Sequence, residues 1–311
     1  MLNRRHLRIK VLQALYAWSQ SSERSIVRSE KDFLKSLKRI EELYVLLLLY
    51  IVELRDFANN HIQDSKHKKL PSENDLSPNT KFVDNEFLAQ LVDETRLMIK
   101  ASDFKLSFSG KHEMIRNVFF KISKSEDYIN YMSNPDRSYE EDKKIVLKIF
   151  SKQMVDVELF QDYLRDEDIF WEDDLPFITS MITKTIKDST SDGIILLSLF
   201  KDKDEESFAM NLFRKAITNS DRFSKLISEK VKNWEIDRVA QMDLILMQMA
   251  LTELIEMPTV PIKVSMNEYI DLAKYYSTER SKKFVNGILD TLVSELIKEG
   301  TIKKTGRGLI E

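Results

Sequence analysis

Three arginines lie at the start of the chain, where helical periodicity also begins. Arg4, Arg5 and Arg8 fall in the first two turns of a predicted helix that follows Asn3, a residue type favoured as an N-cap. Cations at a helix N-terminus oppose the helix macrodipole by about 0.3–1 kcal/mol each. A bound anion removes this conflict, because backbone amides and guanidinium groups together bind phosphate. The segment therefore predicts a phosphate-binding site, with a solvated basic terminus as the alternative.

A second basic segment, residues 279–286 (ERSKKFVN), lies towards the other end of the chain. Lys282 and Lys283 can contact phosphate groups, and an aromatic side chain beside them can stack on a base. Phe284 supplies that ring, but it also falls on the apolar stripe of a predicted helix. Base stacking and core packing are therefore both open interpretations of Phe284.

No set of residues has the spacing of a catalytic or metal site. The four histidines are scattered along the sequence, and His112 with Glu113 lacks the partner spacing of a zinc site. No glycine-rich phosphate loop is present. The acidic run 162–174 lacks the spacing of a calcium loop and is more typical of a solvated helix face and turn. We therefore expect no enzyme activity, no cofactor and no metal ion.

The composition favours long helices, because a chain of 311 residues contains only six Gly and six Pro. The absence of cysteine excludes disulfides and is typical of a cytoplasmic protein, which is the localisation we expect. The longest apolar run, residues 44–52, is far shorter than the roughly 20 residues that cross a membrane, so it predicts a buried core helix. With a net charge of −3, any nucleic-acid contact must use local basic segments.

Apolar residues at helical spacing predict an all-α fold. Residues 60–82 interrupt the pattern with polar residues, Pro71 and Pro78, and predict a mobile loop. The predicted helices cover residues 4–20, 30–57, 85–100, 111–123, 126–132, 140–164, 175–187, 205–217 and 237–257, followed by a short helix from 265 and a final long helix.

The C-terminal block carries recognisable helix boundaries. Pro258 and Pro261 end an almost wholly apolar helix. Ser265 and Glu268 have the spacing of a capping box. Gly287 lies inside the last helix, where it costs about 1 kcal/mol relative to Ala, and this predicts the close approach of another helix. Gly300 is predicted to end that helix.

A weak internal repeat appears at an offset of 63 residues. It aligns residues 150–174 with residues 213–237, and two of its aromatic pairs are Phe160 with Phe223 and Trp171 with Trp234. Chance alignment of two amphipathic helices is the alternative to a true duplication. A true duplication would make the middle of the chain a degenerate copy of the C-terminal helical unit.

Four C-terminal motifs resemble those of the NusB family of transcription antitermination factors. They are Trp234 opening a helix, Ala250–Leu254, Pro261–Glu268 and Lys283–Asp290. Residues 4–20 resemble the other end of the same family. The resemblance covers residues 1–20 and roughly 208–297, and most of the residues between have no counterpart in an ordinary family member.

The resemblance implies an all-α fold of NusB-like helical bundles, elongated here by an additional inserted helical region. It also implies binding of single-stranded boxA RNA through the arginine-rich start, and a complex with the small-subunit ribosomal protein NusE. Asp243 matches an acidic position of the family's NusE surface, with an exposed helix acid as the alternative. Gln248 replaces an arginine common in the family. The positions that match the family's RNA surface are Arg4, Arg5, Arg8, Gln13, Tyr16, Arg280, Lys283 and Phe284. Lys282 is a further candidate for RNA binding, as a phosphate contact.

We therefore predict an N-terminal basic helix (1–25), a helical insert (26–205), a C-terminal bundle (206–300) and a basic tail (301–311). The predicted function is a non-enzymatic antitermination factor that binds boxA-like rRNA leader with NusE in an RNA polymerase antitermination complex. A helical protein-interaction scaffold without RNA binding is the alternative.

Some rRNA cytosine methyltransferases contain a NusB-like domain, but this chain lacks their glycine-rich cofactor loop and catalytic cysteines. We expect no membrane contact, and the sequence leaves a homodimer open.

Overall fold

A computed structural model of the chain describes residues 4–155, 157–168, 170–200, 203–231 and 239–309. Within these ranges the regular structure is helical, with no β-strand and one isolated bridge between Thr190 and Gly193. The predicted all-α fold is confirmed. No helix in the described part of the chain is both long enough and apolar enough to cross a membrane.

The α-helices are α1 (Arg4–Gln20), α2 (Ile26–Lys66), α3 (Glu73–Leu76), α4 (Glu86–Asp93), α5 (Thr95–Asp103), α6 (His112–Ser123), α7 (Glu126–Ser133), α8 (Tyr139–Ile149), α9 (Glu158–Glu167), α10 (Trp171–Asp188), α11 (Lys203–Thr218), α12 (Ser220–Lys230), α13 (Gln241–Glu256), α14 (Ile262–Tyr276) and α15 (Glu279–Lys298).

The chain divides into two compact units. Unit 1 is Lys38–Leu199, and unit 2 combines Leu2–Leu37 with Phe200–Glu311. The start of α2 belongs to unit 2, since Phe33 stacks on Phe213 with ring centroids 5.0 Å apart. A deletion of residues 26–205 would therefore remove part of unit 2 as well as the whole of unit 1. The domain boundaries that we inferred from the sequence stay a prediction.

The core of unit 1 is built on α2. Residues 44–52 are all at most 8% exposed, as expected for a buried core helix. Tyr50 lies at the centre, where its ring stacks on Phe160 at 4.2 Å and on Phe108 at 5.4 Å. Tyr44 anchors the same helix to α10, because its hydroxyl lies 2.6 Å from the hydroxyl of Thr185.

Two predicted boundaries in unit 1 are wrong. Helix α2 continues to Lys66 and therefore includes the first part of the predicted loop 60–82. Ser72 then caps the short helix α3 in a capping box with Asp75. The predicted helix 140–164 is divided into α8, a π-helical turn (Phe150–Met154) and α9, and Val157 ends the interruption without a side-chain cap. Tertiary packing thus extends one helix and divides another where periodicity alone shows no change.

Helix α13 is the centre of unit 2. It contacts α1, α11, α12, α14 and α15, which explains why it is apolar on nearly all sides. The helix ends at Glu256 before Pro258, and α15 ends before Gly300, whose φ of +66° suits glycine. Both of these predicted ends are confirmed. Asn3 and Trp234 lie outside the described residues.

Two predictions in the C-terminal block are wrong. Helix α14 begins at Ile262 after Pro261, so Ser265 lies inside the helix and is not an N-cap. Its hydroxyl donates instead to the buried carboxylate of Glu253 at 2.7 Å. Gly287 is exposed, and a Cβ added there would meet nothing within 4 Å. No close helix contact in the described residues therefore requires this glycine.

The helices of the two units repeat the offset of 63 residues. Adding 63 to the bounds of α9 (158–167) gives 221–230, and α12 covers 220–230. The same shift takes the end of α10 from 188 to 251, inside α13. In unit 1, α10 packs on α8 and α9, just as α13 packs on α11 and α12 in unit 2. The matched pairs Phe150/Phe213, Phe160/Phe223, Leu164/Ile227, Ile182/Ile245 and Ile186/Met249 are each at most 3% exposed. Shared helix bounds, packing and burial favour a true duplication over chance.

Gly287→Ala should stabilise the protein, because alanine lowers the conformational entropy of the unfolded chain and meets no neighbour in the folded one. The expected gain is about 0.5–1 kcal/mol in the free energy of unfolding. Chemical denaturation of the variant and the parent measures it. Gly300→Ala is the matched control and should destabilise, since its φ of +66° disfavours a side chain. A loss of stability in Gly287→Ala would contradict the open space at this position.

Candidate nucleic-acid interface

The first turn of α1 presents two arginines at the surface of unit 2. Arg4 is exposed, and its guanidinium carbon lies 4.8 Å from the centre of the Phe208 ring. Arg5 is partly exposed and forms a 3.3 Å ion pair with Asp271 of α14. Both cations can therefore reach a ligand, although Asp271 partly neutralises Arg5.

Arg8 does not lie on this surface. It is 2% exposed, and its guanidinium donates two hydrogen bonds, of 2.8 and 2.6 Å, to the two carboxylate oxygens of Glu253. Burial by itself lowers the pKa of Arg8, but the hydrogen bonds and charge of Glu253 outweigh it, so the net pKa is raised. The expectation that Arg8 contacts phosphate is therefore corrected. Its role is to join α1 to α13.

Glu253 is the acceptor of a buried polar network in unit 2. It is fully buried, and it accepts hydrogen bonds from Ser265 at 2.7 Å and Tyr269 at 2.9 Å in addition to those of Arg8. Burial, followed by the charge of Glu253, raises the pKa of Tyr269 well above its ordinary value. Lys304 donates to the backbone carbonyl of Glu253, and burial lowers its pKa to about 8. The carboxylate of Glu253 thus joins α1, α13 and α14, and its backbone carbonyl joins the C-terminal segment to them.

The first turns of α15 carry three cations whose side chains form no polar contact with the rest of the described structure. The side chains of Arg280, Lys282 and Lys283 have no hydrogen-bond or ion-pair partner among the residues that the structure describes. Thr278 caps this helix by accepting from the amide of Ser281 at 3.1 Å. The cations therefore project from a fixed helix start, while Phe284 is half-buried.

Helix α14 connects the two basic segments. Arg5 pairs with Asp271 on α14, and its guanidinium carbon also lies 5.8 Å from the ring centre of Tyr275. Tyr275 is in the last turn of α14, next to Lys274, and only two residues separate α14 from α15. We did not single out Tyr275 from the sequence; the adjacent Lys274 and the end of the helical pattern were the only signals. We define Arg4, Arg5, Lys274, Tyr275, Arg280, Lys282 and Lys283 as the basic surface.

The other candidate residues have different positions. Tyr16 is 42% exposed and lies eleven residues, about three helical turns, after Arg5, so both face the same side of α1. Gln13 is half-buried in α1.

Asp243 is 4% exposed, and one of its carboxylate oxygens has no hydrogen-bond partner in the described ranges. Its expected surface position is therefore corrected. Gln248 donates to Ser224 at 2.9 Å and joins α13 to α12.

A family model matches the region that contains α14 and the start of α15. A family model described as "NusB family" matches residues 157–294, which include α13, α14 and most of α15. The transcription antitermination protein NusB of Salinibacter ruber is 42% identical over 118 residues, which are 38% of this chain and 74% of that protein.

The chain belongs to the NusB family.

Two further relatives carry the same name. NusB of Chloroherpeton thalassium is 38% identical over 130 residues, 42% of this chain and 62% of that protein. NusB of Geotalea daltonii is 41% identical over 90 residues, 29% of this chain and 62% of that protein. No solved structure matches the chain. The family is one of transcription antitermination factors, and the basic surface lies in the unit that carries most of the NusB match.

The described residues contain no group of three or more His, Cys, Asp or Glu side chains that could hold a metal ion. His6 follows Arg5 in α1, and burial, and then the charge of Arg5, lower the pKa of His6 to about 4. A neutral imidazole therefore lies next to the exposed cations at ordinary pH. A bound phosphate would raise this pKa, because a nearby negative charge favours the imidazolium form.

Arg8→Ala should lower the free energy of unfolding by about 3–5 kcal/mol, because it leaves the carboxylate of Glu253 buried without its cation. Arg4→Ala is the matched control on the same helix and should lower stability by no more than about 1 kcal/mol, since it removes only an exposed contact with the Phe208 ring. Denaturant unfolding followed by circular dichroism measures both. Equal effects of the two substitutions would contradict the distinct roles of Arg8 and Arg4.

The protein should lose stability as the pH falls from 6.5 towards 4. The folded-state pKa of His6 is below the unfolded one, so the unfolded chain binds more protons in this window and gains relative stability. His6→Asn should make the pH dependence shallower in this window. Thermal unfolding at a series of pH values measures the difference. Parallel curves for the variant and the parent would show that His6 does not titrate in this way.

Proposed function

We propose that this chain is a non-enzymatic antitermination factor that binds boxA-like single-stranded rRNA leader together with NusE. The observation that carries the proposal is the set of cations Arg280, Lys282 and Lys283, which form no ion pair within the described residues. They follow α14, whose Tyr275 lies next to Arg5 of α1. Charges that form no ion pair within the protein are available to phosphate groups. Membership of the NusB family supports a nucleic-acid ligand over another polyanion.

The local charge is sufficient for RNA although the net charge is −3. The basic surface contributes six cations, and among the described residues only Arg5 is held in an ion pair, with Asp271. That pair is partly exposed, with side-chain exposures of 34% and 48%, so water and salt weaken it. An RNA phosphate can therefore compete with Asp271 for Arg5.

Single-stranded RNA is a better fit to this surface than a duplex. Proteins recognise single strands by combining backbone cations with exposed aromatic rings. Tyr275 and Tyr16 are exposed aromatic residues on or beside the basic surface. Phe284 is half-buried and can offer only part of its ring. Gln13 stays a candidate for a polar contact on α1.

The protein partners are part of the same proposal. NusE, and through it an RNA polymerase antitermination complex in the cytoplasm, would bind unit 2 beside the RNA. Because Asp243 is buried, we do not include it in the contact surface. Unit 1 offers a separate acidic segment in residues 162–174, where Asp166, Glu167 and Glu172 are exposed. We infer that this segment contacts a basic protein of the complex.

Arg4→Ala with Arg5→Ala, and separately Lys282→Ala with Lys283→Ala, should each weaken binding of a fluorescein-labelled boxA-like RNA. The affinity should also depend less on salt, and the slope of log K against log salt should become shallower by about 0.7 for each phosphate group that the variant no longer neutralises. Fluorescence anisotropy at several salt concentrations measures both quantities. Lys263→Ala is the control, since this exposed lysine lies in the first turn of α14 and outside the basic surface.

Unchanged RNA affinity in both double variants would refute the basic surface as the RNA site. Analytical ultracentrifugation of the parent chain, with and without RNA and NusE, tests the partners and any homodimer. A complex with NusE but none with RNA would support the scaffold alternative. Arg8→Ala is unsuitable for the RNA test, because its loss of stability would weaken any binding that needs unit 2 folded.

A further inference from the structure

We propose that Tyr275 stacks on a base of single-stranded RNA and provides the base contact at the end of α14. This inference rests on the proposed RNA binding and adds to it a contact that phosphate binding does not supply. It assigns base stacking to a tyrosine whose ring is not packed in the protein core.

The exposure of Tyr275 is the first observation. Its side chain is 70% exposed, more than any other aromatic residue in the described ranges. A single exposed aromatic residue is common on protein surfaces and needs no ligand to explain it. The surroundings of Tyr275 are therefore what favour a binding function.

Two cations lie beside the ring. The guanidinium carbon of Arg5 is 5.8 Å from the ring centre, and the Lys274 ammonium is 6.0 Å from it. A nucleotide whose base stacks on Tyr275 would place its phosphate within reach of these side chains. A stacked base next to cations that bind the backbone is the common arrangement in proteins that bind single strands.

The ring is held at a fixed point relative to the cations of α15. Ser277 follows Tyr275 by two residues and bonds through its amide to the carbonyl of Ala273 at 3.1 Å. Its hydroxyl donates to the hydroxyl of Ser281 at 2.9 Å. The turn between α14 and α15 is therefore tied at both ends. A tyrosine in the helix end next to such a turn loses little conformational entropy on binding, because only two side-chain torsions need to be fixed.

Other tyrosines of α14 serve the protein interior. Tyr269 is fully buried and donates to Glu253, and Tyr276 is half-buried. Tyr275 is therefore the tyrosine of α14 whose ring remains open to a ligand. Its replacement should leave the fold of unit 2 intact, so that binding can be measured in a folded variant.

Tyr275→Ala should weaken binding of the boxA-like RNA by about 5- to 150-fold, the loss that corresponds to one stacked base. Tyr275→Phe should bind within about twofold of the parent, because the aromatic face is kept. The slope of log K against log salt should stay unchanged in Tyr275→Ala, since stacking releases no counterions. Phe170→Ala removes an exposed aromatic ring of unit 1 and should have no effect.

The outcomes separate this inference from the proposed function. If the parent chain does not bind the RNA, both the proposed function and the stacking role of Tyr275 are refuted. If the parent binds and Tyr275→Ala binds equally well, only the stacking role is refuted. A reduced salt slope in Tyr275→Ala would also refute it, because the ring would then act by positioning Arg5. In a series of RNAs with one abasic site each, one RNA should abolish the difference between Tyr275→Ala and the parent.

Discussion

The buried ion pair between Arg8 and Glu253 is the interaction on which unit 2 depends. Both side chains are almost completely removed from water, so each charge would be strongly unfavourable without the other. Ser265 and Tyr269 satisfy the same carboxylate and thereby add α14 to the pair. The carboxylate of Glu253 thus links α1 to α13, and ion pairs from Arg8 to Glu268 and from Arg5 to Asp271 add α14. These contacts also fix the exposed end of α1.

The arginines of two successive turns of α1 have different functions. Arg8 balances a buried charge, whereas Arg4 and Arg5, on the preceding turn, remain accessible to a ligand. Arg5 contacts Asp271 and Tyr275 of α14, so that the basic surface depends on contacts between helices that are distant in sequence. Binding residues can then change without loss of the fold, because the residue that holds the helix is a different one.

Much of the fold could be predicted from the sequence, since apolar periodicity, Pro258 and Gly300 act through local sterics that a pattern records. The environment of Arg8 could not be predicted, because its burial depends on Glu253, which is 245 residues away. The cap predicted at Ser265 is wrong for the same reason: its local spacing fits a cap, but the distant carboxylate takes its hydroxyl. Tyr275 was missed because exposure and contact with Arg5 arise only when α1 and α14 meet.

The repeat relates α13, which carries the buried carboxylate of Glu253, to α10 of unit 1. Comparing the two helices shows how the units differ at this position. The third helix of the repeat is α10 in unit 1 and α13 in unit 2, and both are buried on matching positions. Subtracting 63 from 253 gives 190, which is Thr190, beyond the end of α10 at Asp188. The repeated helix in unit 1 thus ends before the position that carries the carboxylate in unit 2. The helical scaffold is shared by the two units, and the carboxylate of Glu253, at a position where unit 1 has Thr190, distinguishes the unit that holds the basic helix α1.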